Sequence, residues 1–425
     1  MRTSKFKWMR LGLVGLFVLL AMGPLTNKQS ASALSNPAVG IVCTNGPTFN
    51  LTAGSGYIVL SDANTMFMWS YLATGGTFQY PGPVLCVNQG DTVTVILQNN
   101  LPEATSIMFP GQENVLANGI SAQPEFDGGG NLVSLTKTAP AGGTVTYSFV
   151  ANKPGTFIYE SGSNPKKQVA MGLASVLIVR PSSGAEFAYN RPDSRFTPAE
   201  EFLALLSEID PYLHQAVEDG VPFNMNNYHP RYWLLNGRGF PDTIADNFAP
   251  WLPNQPYGAL ARIHPYDATN HPYPAIERFV NIGTEDFPFH PHGQNGLVIG
   301  RDGNPMEGSG GEDLSFEKFA VNIGPGQTWD VLFKWYDAEN YSETNPIPVT
   351  IPDIANQAMG MFYSGSPYLG VTGPMPPGFS TLNQCGEYYI ISHNHALFQL
   401  DAWGQVMAGP ITYVRIDPPL PNNCP

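Results

Sequence analysis

The sequence is poor in cysteine, in charged residues and in long apolar runs. Only four of its 425 residues are cysteine, none of them in a CxxC pair, and 13% are charged. The longest apolar run, Leu11–Met22, is shorter than the roughly 20 residues that a membrane-spanning helix needs. A metal site of closely spaced thiolates and a protein with several membrane spans are therefore not expected.

Basic residues are also scarce. Lys and Arg number 20 against 34 Asp and Glu, and residues 1–33 hold five of the basic residues and no acidic one. Without that segment the balance is 15 basic residues to 34 acidic ones. Such a chain is not expected to bind the phosphate backbone of a nucleic acid or an anionic lipid surface.

The N-terminal segment has the three-part layout of a secretory signal peptide. Four basic residues within the first ten positions precede the apolar run, and the small-residue triplet Ala31–Ala33 follows it. We therefore predict a signal peptide over 1–33 and a secreted or periplasmic protein that has no membrane attachment after cleavage. An uncleaved membrane anchor is the alternative.

The rest of the chain has the composition of a turn-rich β protein, since the sequence contains 44 Gly, 40 Pro and 12% aromatic residues. Short alternating runs such as Asp91–Leu97 and Thr144–Val150, separated by turn residues, predict a β-sandwich or barrel domain over 34–182. A second such domain is predicted over 228–425, beginning near Tyr232–Gly237.

Between these blocks, residues 183–227 are predicted to be a connector with a helix. Thr197 and Glu200 fit a capping box, and apolar residues recur at helical spacing from Phe202 to Ile209. The pattern predicts a helix that begins at Thr197, with Glu200 in its first turn.

The four cysteines of an exported chain are expected to form two disulfides. Three connectivities can be drawn for four cysteines. Pairing Cys43 with Cys86 and Cys385 with Cys424 is favoured, because each bridge then stays within one predicted domain.

Four of the eight histidines form two His-x-His pairs, His290 with His292 and His393 with His395. Side chains at i and i+2 of a strand share a face, so two neighbouring strands can offer four nitrogens to one or two metal ions. Imidazole suits copper, zinc, iron and nickel. A polar strand face with solvated histidines is the alternative. Surface or packing roles are predicted for the other four, His214, His229, His264 and His271.

Several motifs resemble those of multicopper oxidases. Those similar to the family's first cupredoxin domain are Pro81–Asp91, Gly155–Tyr159 and Gly172–Val179, and those similar to its last domain are Phe287–Gly293, Val298–Gly303 and Gly324–Asp330. The resemblance implies an all-β fold of two cupredoxin-like Greek-key β-barrel or sandwich domains with a helical connector. It also makes copper the favoured metal.

The same resemblance assigns metal ligands. It makes His290, His292, His393 and His395 ligands of the family's trinuclear copper cluster. The four histidines that the first domain should add are replaced by Met108, Pro110, Glu160 and Gly162. We therefore expect one or two copper ions, or another transition-metal ion, on the four histidines, with Glu160 as a further candidate ligand. An exposed carboxylate at a strand end is the alternative for Glu160.

The family's electron-entry copper needs a cysteine between the last two histidines. Asn394 occupies that position, and Phe287 and Gln399 replace the two histidines of the same centre. Met407 is a loosely placed candidate for its axial ligand. The resemblance thus implies that this chain alone lacks the laccase route for electrons.

One spacing is similar to that of two-domain copper nitrite reductases. Gly386 precedes His393 by seven residues, and in that family the corresponding histidine binds catalytic copper across a subunit boundary of a trimer. The resemblance therefore implies a homotrimer. The histidine-cysteine pair of that family would fall at Glu160-Ser161, so its electron donor is missing here.

Two interpretations of function follow. The first is an exported multicopper-oxidase-like copper-binding protein, an oxidoreductase by resemblance, whose partner is a small-molecule substrate or dioxygen. The second is a non-catalytic cupredoxin scaffold or interaction module with structural metal or none.

Overall fold

The computed structural model describes residues 38–293, 295–335, 388–417 and 419–422. The strands of its first part are β1 (Cys43–Asn45), β2 (Thr48–Val59), β3 (Thr65–Ala73), β4 (Val84–Asn88), β5 (Thr92–Asn99), β6 (Leu116–Ala117), β7 (Ile120–Ser121), β8 (Glu125–Phe126), β9 (Leu132–Ser134), β10 (Thr144–Val150), β11 (Gly155–Glu160) and β12 (Ala174–Arg180). A short helix, α1 (Pro165–Gln168), lies between β11 and β12.

The second part contains β13 (Glu201–Ile209), β14 (Tyr232–Leu235), β15 (Ala261–Ile263), β16 (Ala275–Asn281), β17 (Phe287–Pro291), β18 (Gly296–Arg301), β19 (Asn304–Pro305), β20 (Phe316–Lys318), β21 (Val321–Ile323), β22 (Thr328–Phe333), β23 (Tyr388–Asn394), β24 (Asp401–Ala402), β25 (Gln405–Val406) and β26 (Ile411–Ile416). Helix α2 (Pro211–Glu218) follows β13. The all-β fold predicted from the sequence is confirmed. No helix in the described part of the chain has both the length and the apolarity needed to cross a membrane.

The first part forms two packed sheets, one in the order β1-β4-β12-β11 and the other in the order β3-β2-β5-β10-β6-β7. Alternation along β5 buries Val93, Val95 and Leu97, and the antiparallel partner β10 buries Tyr147 opposite Val95. Residues of the other sheet, such as Leu177, complete this core. The alternating runs read from the sequence are therefore strands with one face in the core.

The predicted bridge between Cys43 and Cys86 is present. It joins β1 to β4, which pair in parallel at the edge of the first sheet. The second predicted pair, Cys385 with Cys424, lies outside the described residues, as does the predicted signal peptide.

The second part also forms two sheets. The larger has the order β19-β18-β22-β16-β13-β14-β24-β25, with β20 paired to β18, and the smaller has the order β15-β26-β23-β17-β21. Their facing sides share one core, to which Phe202 of β13, Phe279 of β16 and Phe289 of β17 contribute. The domain limits drawn from the sequence stay predictions.

The helix predicted from Thr197 is wrong. Pro198–Glu200 forms a single 3-10 turn, the Thr197 side chain does not cap it, and Glu201–Ile209 is strand β13. All nine residues of β13 are buried, because the strand lies between β14 and β16 with both faces covered. A strand buried on both faces has no alternation, and its apolar run is easily mistaken for one face of a helix. The connector's helix is instead α2.

A buried network of charges joins the two parts. Arg278 of β16, 1% exposed, donates to Glu201 at 2.6 Å and to Asp330 at 3.0 Å. From the first part, Arg180 of β12 donates to Glu201 at 2.6 Å and the Thr156 hydroxyl of β11 donates to Asp330 at 2.6 Å. Each carboxylate therefore has a partner from both parts, which satisfies charges that would otherwise be costly to bury.

Glu277, the residue before Arg278, is buried and makes no ion pair with any of the described residues. It is 6% exposed and lies opposite Phe202 of β13 and Val331 of β22, both members of the second core. Burial raises the pKa of Glu277 to about 8, from an ordinary value of 4.5. Between these two pH values the folded chain therefore keeps a proton on the Glu277 carboxyl, whereas the unfolded chain releases it.

We expect the substitution Glu277→Gln to stabilise the protein at high pH. Between pH 4.5 and about pH 8 the folded state binds the proton more tightly, so Glu277 lowers stability as the pH rises, by at most about 1.4 kcal/mol per pH unit. Urea unfolding at pH 5 and pH 8 should show that the advantage of the variant over the wild type grows with pH. The exposed Glu317→Gln is the control, and an advantage independent of pH would contradict the assignment.

Candidate metal centre

The pairing of β17 with β23 brings the two His-x-His pairs together. The strands are antiparallel, and His290 lies directly opposite His393. Phe287 and Phe289 of β17 are buried in the core, which leaves His290 on the other, partly exposed face. The backbone N–H of His395 donates to the Pro288 carbonyl at 2.7 Å and so ties the second pair to the first strand.

The four imidazole rings form one cluster. Ring centroids lie 4.6 Å apart for His290 and His292, 5.1 Å for His292 and His393, and 5.7 Å for His290 and His393. His395 lies 5.4 Å from His290 and 5.6 Å from His393. The expectation that two neighbouring strands present the four side chains to one place therefore agrees with the structure.

Hydrogen bonds fix which nitrogen of two rings carries the proton. Nδ1 of His290 lies 2.9 Å from the Phe319 carbonyl, and Nδ1 of His393 lies 2.7 Å from the Asn394 carbonyl. A carbonyl only accepts, so each Nδ1 donates and each neutral ring keeps its lone pair on Nε2. Metal-binding histidines are commonly oriented by such a bond to a carbonyl.

The cluster also favours the neutral form of two of its histidines. Burial lowers the pKa of His292 to about 4, and the neighbouring His290, His393 and His395 lower it further in the same direction. Burial lowers the pKa of His393 as well. A neutral imidazole is the form that binds a metal ion, so these rings can act as ligands at neutral pH.

The distances fit two nitrogens on one ion. Nε2 of His292 and Nε2 of His393 lie 3.1 Å apart. Two nitrogens at about 2.0 Å from a shared ion, at a tetrahedral angle, would be separated by roughly 3.3 Å. Three ligand atoms within 4.8 Å of one another occur, among the described residues, only at Glu200, His264 and His271. A third nitrogen of the histidine cluster can reach the same ion only if its side chain rotates. The side chains of the cluster are partly or fully exposed, which permits such a rotation.

Three of the four first-part positions that replace cluster histidines also lie together. The backbones of Met108 and Glu160 form a bridge, with N–H to carbonyl distances of 2.6 Å and 3.1 Å. A Cβ on Gly162 would lie 3.0 Å from the Met108 sulfur. Within the described residues, Glu160 makes no hydrogen bond or ion pair with the four histidines. Burial raises the pKa of the Glu160 carboxyl.

The positions that the resemblance assigns to the electron-entry copper carry side chains of other chemistry. The Asn394 side-chain amide donates to Gln399, and Gln399 in turn donates to Glu285 at 2.8 Å. Both amides are buried, and Phe287 lies in the core of the second part. Met407 packs against a separate apolar cluster. Two mutually bonded amides thus stand where the resemblance requires a thiolate and an imidazole.

Three residues that sequence reasoning assigned to packing or to a helix start form a second group. Glu200, His264 and His271 place one ligand atom each within 4.8 Å of the others. Their separations of 64 and seven residues match no ligand spacing, and the wrong helix interpretation placed Glu200 in the first turn of a helix. Only the folded chain reveals this group.

We expect Gln399→Ala to destabilise the fold. The change removes the acceptor of the buried Asn394 amide and the donor to Glu285, and an unpaired buried polar group costs roughly 1–3 kcal/mol. Urea unfolding should show a lower free energy of unfolding, whereas Gln405→Ala, at an exposed position of β25, should leave it unchanged. Equal stability of the two variants would contradict the role given to the amide pair.

Comparison with known proteins identifies relatives of part of the chain. Residues 73–184 match the family model for multicopper oxidase. Copper resistance protein A of Pseudomonas syringae pv. tomato is 31% identical over 189 residues, which are 44% of this chain and 27% of that protein. The match therefore spans little more than a quarter of the relative's length.

Solved structures share the fold over most of the chain. The blue copper oxidase of Nitrosomonas europaea aligns with a TM-score of 0.57 at 19% identity, covering 87% of this chain and 85% of that one. The copper-containing nitrite reductase of Thermus scotoductus SA-01 aligns with a TM-score of 0.51 at 16% identity, covering 89% and 63%. The predicted resemblance is therefore confirmed: the chain has a multicopper oxidase domain match at residues 73–184 and the cupredoxin-like fold of multicopper oxidases, and copper is the metal that this similarity implies.

Proposed function

We propose that this chain is an exported copper-binding protein of the multicopper-oxidase type, in which His290, His292, His393 and His395 hold the copper. The observation that carries the proposal is the 3.1 Å separation of the His292 and His393 Nε2 atoms, which the pairing of β17 with β23 brings together. Four imidazoles are a donor set that copper favours.

The chain's own residues prepare the site for an ion. The carbonyls of Phe319 and Asn394 orient two rings, and partial burial keeps His292 neutral. The Phe319 ring, 62% exposed, stands edge-on to His290 with centroids 5.3 Å apart and so forms an apolar wall beside the cluster. Copper bound here would supply a redox-active centre for a small molecule or dioxygen.

In this proposal the chain has no electron-entry copper of its own. Asn394, Gln399 and Phe287 offer an amide, an amide and a hydrocarbon ring, none of which replaces a thiolate and two imidazoles. Any electron that reaches the four-histidine site must therefore come from a molecule bound at that site or from a partner protein. Oxidation of a bulky substrate at a remote blue-copper centre is not part of this proposal.

The proposed location is secreted or periplasmic. The N-terminal sequence has the layout of a signal peptide, and the Cys43–Cys86 disulfide suits an oxidising compartment. The two observations are independent, since one concerns residues 1–33 and the other the folded chain.

A homotrimer is proposed as the assembly, by resemblance to two-domain copper nitrite reductases. In such an assembly Glu160 of one copy would complete the histidine cluster of the next, which explains why a half-buried carboxylate of raised pKa stands at a replaced ligand position. Native mass spectrometry tests this part, and a monomer would remove Glu160 from the ligand set.

A scaffold without catalysis is the second candidate. It is favoured by Pro110 and Gly162, which occupy two replaced ligand positions and have no side-chain donor for a metal. This candidate predicts that the four histidines contribute nothing to copper retention.

We expect the purified full chain to retain at least one equivalent of copper after gel filtration, measured by elemental analysis. The double variant His292→Ala and His393→Ala should bind copper at least tenfold more weakly, because it loses the closest pair of nitrogens. His229→Ala removes an exposed histidine outside the cluster and is the matched control. Equal copper in the double variant and the control would favour the scaffold.

We further expect copper-loaded protein to lack the intense visible absorption of a Cu(II)–thiolate centre. All cysteines of the described part are in a disulfide, and position 394 carries an amide. An absorption spectrum of the oxidised, copper-loaded protein checks this. A strong blue band would show that an electron-entry centre is present after all.

A further inference from the structure

The side chains of Glu200, His264 and His271 come from three separate segments. They meet at one end of the smaller sheet of the second part. Glu200 ends the 3-10 turn before β13, and His264 directly follows β15. His271 closes a loop whose backbone bonds reciprocally with Asp267, each N–H donating to the other's carbonyl at 3.0 Å. Two secondary-structure ends and one closed loop therefore fix the backbone of all three residues.

Both imidazoles point a nitrogen at the same carboxylate oxygen. Oε1 of Glu200 lies 2.7 Å from Nδ1 of His264 and 3.1 Å from Nε2 of His271. The three atoms all lie within 4.8 Å of one another. One small ion can therefore contact a carboxylate and two ring nitrogens without movement of the backbone.

The polar groups of this cluster are not fully satisfied within the described structure. Glu200 is 3% exposed and His271 is 5% exposed. Oε1 of Glu200 already accepts from the His264 backbone N–H at 2.9 Å, whereas Oε2 is buried and accepts from no donor. Nδ1 of His271 is also buried without a partner. Buried polar atoms are nearly always bonded, so the idle oxygen indicates a missing partner for the carboxylate.

An outer layer of charge holds His264 in place. Its other nitrogen, Nε2, lies 3.5 Å from Oδ2 of the buried Asp417. Asp417 is fixed by Arg262 and Arg415, each of which donates to it at 2.6 Å. A carboxylate behind a ligating histidine is a recurrent feature of metal sites, because it orients the ring and increases its basicity.

We propose that Glu200, His264 and His271 bind a divalent transition-metal ion of the zinc(II) class. Two imidazoles and one carboxylate are a common ligand set for such an ion, with the fourth position left to water. The competing explanation is a metal-free ion pair between Glu200 and protonated imidazoles, in which the idle Oε2 has no role.

This site is separate from the four-histidine cluster. Both sites border β26, but His393 pairs with Ile411 at its first residue, whereas Ile263, just before His264, pairs with Ile416 at its last. At about 3.4 Å per residue the two ends of β26 are roughly 17 Å apart. One ion cannot bridge the two sets, so each can be removed without the other.

The test uses a full-length background variant in which His290, His292, His393 and His395 are all alanine, stripped of metal with a chelator. These four side chains are partly or fully exposed, so their removal should leave the fold intact. Titration with Zn²⁺ alone, followed by gel filtration and elemental analysis, should leave about one equivalent bound. Zinc should also raise the melting temperature of this variant.

Two further substitutions in the same background locate the ion. Glu200→Gln keeps the shape of the side chain and removes its charge, and His264→Ala removes a ring that is 20% exposed. Each should weaken zinc binding at least tenfold and abolish the rise in melting temperature, whereas His229→Ala should change neither. Absorption at the zinc K-edge on the background variant should show imidazole nitrogen and carboxylate oxygen as ligands.

A negative result for the zinc site is distinguishable from a failure of the proposed copper-binding function, because the background variant lacks the four histidines. No retained zinc in the folded background variant would overturn the site and leave copper binding by the wild type untouched. Zinc binding that survives both Glu200→Gln and His264→Ala would also overturn it. If either variant does not fold, the X-ray absorption spectrum decides, and a ligand shell without imidazole would reject the proposal.

Discussion

The register between β17 and β23 is the constraint on which the candidate copper site depends. It places His290 opposite His393 and leaves the backbone of His395 bonded to Pro288. A slip of one residue would turn the histidines of one strand to the opposite face, since side chains alternate along a strand. The slip is resisted by the core, because Phe287 and Phe289 would have to leave it. Hydrophobic packing on one face therefore fixes metal-ligand geometry on the other.

Two buried polar arrangements contribute to the stability of the fold. The Asn394 side-chain amide donates to Gln399, and Gln399 donates to Glu285, while the buried Oδ1 of Asn394 has no partner among the described residues. At the junction of the two parts, Arg278 bonds to carboxylates that are shared with the first part. These contacts join neighbouring segments of the fold through hydrogen bonds and ion pairs.

Local sequence patterns predicted much of the fold and part of the site. Alternation identified β5 and β10, and the His-x-His spacing predicted that the four histidines lie together, because both depend on the two-residue period of a strand. The same reasoning failed for Glu201–Ile209, whose burial on both faces erases that period. It also missed Glu200, His264 and His271, since their proximity arises from tertiary contacts that no short window contains.

The central claim is that the two His-x-His pairs hold copper between β17 and β23. It is tested most directly by a crystal structure of copper-loaded protein with anomalous diffraction measured on both sides of the copper absorption edge. The account predicts a copper peak within about 2 Å of the Nε2 atoms of His292 and His393. Copper bound elsewhere, with these two nitrogens still bonded to each other, would contradict it.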